Sequence, residues 1–147
     1  VGVGGLHQAR GGANAWLQAG IAAFPRSGLR LYVEEVSLGR PRSFVDLGPA
    51  ALGRRYRVAV VETGADVWQA TLDGRPVGSP AYLPTGGGRW RGVVTAESWA
   101  SGSASCNTYG YRFGDLSVLR GAWRAPAATQ LLGRGVTGGA AAFSAVS

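Results

Sequence analysis

The 147-residue sequence has no methionine and no lysine, one cysteine, Cys106, and one histidine, His7. A single thiol forms no internal disulfide. One Cys and one His also exclude a Cys/His zinc site within one subunit. A Ser-His-Asp or Cys-His apparatus would have to use His7, which follows the Gly-rich start Val1-Gly2-Val3-Gly4-Gly5 with no nucleophile turn beside it. His7 therefore reads as a loop residue. Cys106, with no base near it in sequence, reads as an inert, half-buried small residue. No stretch reaches the roughly 18 apolar residues of a membrane span, and no signal-peptide pattern is present. The chain starts without Met on what already reads as a strand, so a processed form or a piece of a longer reading frame is expected.

What is present is glycine and arginine. There are 25 Gly, and all 15 basic residues are Arg, giving a net charge of +7. Such a balance favours nucleic acid or acidic surfaces when the basic residues gather on one element. Here they are spread along the chain. Only Arg54-Arg55-Arg57 forms a knot, and the Tyr56-Val58-Val60 alternation assigns Arg55 and Arg57 to the polar face of a strand. A solvated sheet face is the expectation, and nucleic acid is not an expected partner.

The length fits one domain, residues 1–147, able to bury roughly two-thirds of its unfolded surface. Short runs of alternating apolar and polar residues recur between Gly, Pro, Asp and Ser, without helical periodicity. They predict strands at 1–3, 14–22, 29–36, 42–47, 55–62, 66–72, 80–83, 91–99, 108–113, 116–120 and 139–145; residues 121–138 carry no assignment. Turn chemistry supports the breaks: Pro25-Arg26-Ser27-Gly28, Thr63-Gly64, and Asp73-Gly74 as a hairpin signal. This pattern predicts an all-β antiparallel sandwich, with Tyr56, Trp68, Tyr109, Tyr111 and Phe113 filling its layers. Asp46, Asp66 and Asp115 read as turn formers, Glu35 and Glu62 as solvated strand residues.

Two polar residues stand among apolar ones: Gln18 in Ala15-Trp16-Leu17-Gln18-Ala19-Gly20-Ile21, and Glu97 in Gly92-Val93-Val94-Thr95-Ala96-Glu97-Ser98-Trp99. Burying such groups costs free energy unless they are hydrogen-bonded. Period-2 alternation puts Gln18 on a face with Trp16 and Gly20, and Glu97 on a face with Val93, Thr95 and Trp99. If those faces coincide, an acid and an amide share one groove. A sheltered carboxyl can move protons at a scissile bond, and an amide N–H can hold an oxyanion. A buried Gln-Glu hydrogen bond is equally an ordinary structural device.

Four segments, Val1-Gly2-Val3-Gly4-Gly5, Trp16-Leu17-Gln18-Ala19-Gly20, Leu31-Tyr32-Val33-Glu34-Glu35 and Val94-Thr95-Ala96-Glu97-Ser98-Trp99, follow one another in the order and rough spacing of the glutamic peptidases, or eqolisins (peptidase family A4/G1). Residues 1 to about 119 resemble that family. The resemblance implies a concanavalin A-like, jelly-roll β-sandwich, secreted or at the cell surface. It implies an acid-acting endopeptidase on polypeptide substrates, with no metal or other cofactor. Gln18 and Glu97 are then the catalytic dyad, with Trp16, Glu34 and Trp99 in substrate binding. Two positions that are acidic in the family are Gly4 and Ala22 here, and strands that precede Val1 in the family are missing, so the resemblance implies a truncated domain or a reduced version of the fold. Two other readings remain: a catalytically inactive concanavalin A-like sandwich binding carbohydrate or another extracellular ligand through Trp16, Trp90 and Trp99, and an Arg-driven binder of acidic polymers.

Overall fold

The computed structural model describes residues 1–5, 9–85, 90, 92–94, 113–120 and 122–125. The chain divides into two compact units, Val1–Thr95 and Ala96–Ser147. The described residues are all-β, with antiparallel strand pairing throughout. None of their elements is a helix long and apolar enough to cross a membrane.

The first unit contains β1 (Gly2–Gly5), β2 (Ala15–Phe24), β3 (Gly28–Val36), β4 (Ser43–Pro49), β5 (Val58–Gly64), β6 (Val67–Leu72), β7 (Arg75–Tyr82) and β8 (Gly92–Val93). They form a five-stranded sheet in the order β4-β3-β2-β1-β8 and a three-stranded sheet in the order β5-β6-β7. β2 lies across β5 and β6, and β3 across β7. The core between the sheets is Val3, Ala15, Leu17, Ala19 and Val33 from the first, with Ala70 and Ala81 from the second and Leu83 just beyond it. Those residues of β2 are odd-numbered, so period-2 alternation sends Trp16, Gln18, Gly20 and Ala22 to the opposite face.

The strands described in the second unit are β9 (Val118–Arg120) and β10 (Ala122–Arg124), which pair antiparallel. Phe113 of this unit is exposed, not packed in a layer as its aromatic character suggested.

The Asp73-Gly74 signal forms a tight turn. Both residues have positive φ, and Leu72 pairs directly with Arg75, as a two-residue hairpin loop requires. β7 therefore starts at Arg75, five residues before the expected 80. Pro76 and Pro80 argue against a strand in sequence, but β7 is a sheet edge, where a missing N–H costs no ladder bond. Inside that hairpin Gln69 donates from Nε2 to the carbonyls of Val77 and Ala70, each at 2.9 Å.

The arginine knot differs from expectation. Residues 54–57 precede β5, and the guanidinium of Arg54 lies 4.7 Å above the Tyr56 ring while pairing with Asp73 at 3.4 Å. Asp73 also accepts the Arg57 backbone N–H. Tyr56 is half-buried and its hydroxyl accepts from the Ala51 N–H, so it braces a loop and does not fill a layer.

Candidate functional site

Gln18 lies in the middle of β2, paired with Gly2 of β1 on one side and Glu34 of β3 on the other. The long β2–β3 hairpin sets this register, running from Trp16 opposite Val36 to Phe24 opposite Gly28 without interruption. A slip of one residue would carry Leu17 out of the core, so burial of Leu17 holds Gln18 on the outer face. There its Nε2 donates to Glu34 Oε2 at 2.5 Å. The other Glu34 oxygen accepts from Nε of Arg42, which stands just before β4. Glu34 is buried, at 5 % exposure, whereas the Arg42 side chain is largely exposed. A charged donor reaching in from the surface thus meets a carboxylate that burial alone would disfavour.

The floor next to Gln18 is glycine. A Cβ on Gly2 would stand 3.0 Å from both Gln18 Cβ and the Leu17 carbonyl oxygen, so any larger residue would push the Gln18 strand by a few tenths of an ångström. Gly4 is more constrained. Its φ is +95°, and a Cβ there would fall 2.2 Å from the Ala15 carbonyl oxygen. An acidic side chain at position 4, the family pattern, does not fit this backbone.

Beyond Gly2 the next strand is β8, with Val93 opposite Gly2. Directly opposed residues share a face, so Val93 lies on the face of Gln18. Glu97 and Trp99, four and six residues further on, lie outside the described residues. Trp16 is on the Gln18 face, half-buried, opposite Gly4 and Val36. Trp90 packs against the core cluster and donates from Nε1 to the Leu83 carbonyl at 2.7 Å.

On the β4 side the same face carries aromatic rings. Tyr32 stacks on Phe44 at 5.2 Å between centroids, and Phe24 meets Phe44 edge-on at 5.9 Å. Phe24 and Phe44 are exposed, at 39 % and 43 %. Next to them Arg30 grips Asp46 through Nε and Nη2, each at 2.9 Å. That hydrogen bond, and then the Gly48 N–H, hold the Asp46 carboxyl below its ordinary value. Asp46 is thus a paired strand residue as well as the acceptor of a local turn.

Arg42 and the Phe24–Phe44–Tyr32 group were not singled out in the sequence. Alternation alone does not mark Arg42: it is the register, with Phe44 opposite Glu34, that puts Arg42, two residues earlier, on the same face. Among the described residues no three His, Cys, Asp or Glu side chains gather as a metal-ligand group. Compared with protein-family models, curated proteins and solved structures, the chain matches none.

Proposed function

We propose that the chain is an acid-acting endopeptidase of glutamic-peptidase type, built on a concanavalin A-like sandwich and working outside the cell on polypeptide substrates. The observation that carries this reading is the fixed amide of Gln18 in mid-strand, on the sheet face turned away from the core, bounded by a glycine strand. Further support comes from β8. Only β1 separates it from the Gln18 strand, its Val93 shares the Gln18 face, and Glu97 follows four residues later in the sequence.

In this reading Glu97 takes a proton from water as the water oxygen attacks the scissile carbonyl carbon. The Gln18 N–H holds the oxygen that becomes negative, and Glu97 then returns the proton to the departing amine nitrogen.

A second reading rests on the exposed Phe24 and Phe44 rings with Tyr32: a catalytically silent sandwich binding carbohydrate or another extracellular ligand on this face. Incubation with a denatured protein across a pH series separates the two. The peptidase reading expects cleavage in acid that survives chelators and serine- and cysteine-directed reagents. Inhibition by a chelator would remove Glu97 from the acid/base role.

A further inference from the structure

Both oxygens of Glu34 are engaged, Oε2 by Gln18 Nε2 and Oε1 by Arg42 Nε. An ionised carboxylate only accepts, so the end of the Gln18 amide turned toward it is the NH2 end. Among the described residues, the other Nε2 hydrogen and the carbonyl oxygen Oε1 of Gln18 meet no partner and remain for the outer face of the sheet. The side chain of Glu34 is 7 % exposed and that of Arg42 67 % exposed, so the charge that steadies the buried carboxylate is supplied from the surface. Arg suits that task, because its guanidinium stays protonated at any working pH and donates in a fixed plane.

We propose that Arg42 and Glu34 are positioning residues for Gln18: Arg42 holds the carboxylate, and the carboxylate locks the amide with one N–H presented to the outer face of the sheet. The catalytic meaning of the lock rests on the peptidase reading; the lock itself does not. Buried and held on both oxygens, Glu34 serves the site through Gln18 and not by touching substrate. Glu34→Gln keeps the shape, but Arg42 Nε needs an acceptor, so the new amide turns its oxygen to Arg42 and its NH2 to Gln18. Gln18 then turns its own oxygen toward residue 34, where its N–H stood in the parent protein. Arg42→Gln removes the charge that holds Glu34, and Arg42→Lys keeps a charge without the planar donor.

The side-chain amide signals of Gln18 in a 15N–1H spectrum, assigned by their loss in Gln18→Ala, read the lock directly. In the parent protein the two Nε2 protons should be well separated, with the bonded one exchanging slowly with water. Both features should collapse in Glu34→Gln and Arg42→Gln and return in part in Arg42→Lys. In hydrolysis, kcat should fall by roughly tenfold or more in Glu34→Gln with KM nearly unchanged, since misplacing a catalytic group by about 1 Å costs up to ~100-fold. Signals that do not change in either variant overturn the lock, whatever the hydrolysis shows. Signals that collapse, in a protein whose parent form cleaves nothing, establish the lock and remove the peptidase reading. If Glu34→Gln does not fold, Arg42→Gln, altered at the surface, carries the test alone.

Discussion

Adding one methyl group to Gly4 tests the pairing of β1 with β2, and with it the floor of the site. A Cβ there would stand 2.2 Å from the Ala15 carbonyl oxygen and 2.8 Å from Trp16 Cα, both backbone atoms of the neighbouring strand that cannot rotate away. The φ of +95° adds about 1–2 kcal/mol for a residue with a Cβ, and overpacking a paired strand about 1–3 kcal/mol more. Together these give a loss of about 2–5 kcal/mol for Gly4→Ala. In a domain of this size that corresponds to a melting temperature lower by roughly 5–20 °C. Gly20→Ala is the matched control. Its Cβ would meet the Tyr32 ring at 3.6 Å, ordinary contact, and its φ is not in the left-handed region. That variant should melt within a few degrees of the parent or up to about 1 kcal/mol more stable, because alanine restricts the unfolded chain. Thermal unfolding followed by circular dichroism decides it. A Gly4→Ala protein melting together with Gly20→Ala would refute the register that places Gly2 beside Gln18.

Leu17 is fully buried on the core face of β2, so Leu17→Ala should cost about 2–5 kcal/mol in urea unfolding. An effect below ~1 kcal/mol would mean that the core lies elsewhere. Asp46 is held below its ordinary value by Arg30 first and the Gly48 N–H second, so its contribution is present above the unfolded value near ~3.9 and fades as pH falls through the lower folded value. Asp46→Asn should therefore melt below the parent at neutral pH, with the gap closing in strong acid; a gap that widens in acid contradicts the Arg30–Asp46 pairing.

The central hairpin was legible because β2 and β3 alternate cleanly, and a one-residue slip would expose Leu17. The start of β7 was not, since Pro76, Gly78 and Pro80 speak against a strand and only its place at a sheet edge admits them. Gln18 and Glu34 were both picked out in sequence, yet their contact was not. Alternation gives the face of each residue but not which residue lies opposite, and that depends on the register set by the turn at Pro25–Ser27. Arg42 was hidden for the same reason, as one of many scattered arginines until Phe44 is known to face Glu34. Gly4 read as a departure from a family pattern; the backbone supplies its reason in a close approach that only a hydrogen allows.

The most direct measurement is acid hydrolysis of a denatured protein by the parent, Glu97→Gln and Gln18→Ala, each checked for cooperative unfolding. Glu97→Gln keeps shape and hydrogen bonding but removes the titratable group, so turnover should vanish with the fold intact. Gln18→Ala removes one positioned donor and should slow the reaction roughly 10²- to 10³-fold. A parent protein that cleaves nothing at any acidic pH, with both substitutions merely lowering the melting temperature, would contradict the dyad and leave Gln18 and Glu34 as a structural pair on a ligand-binding face.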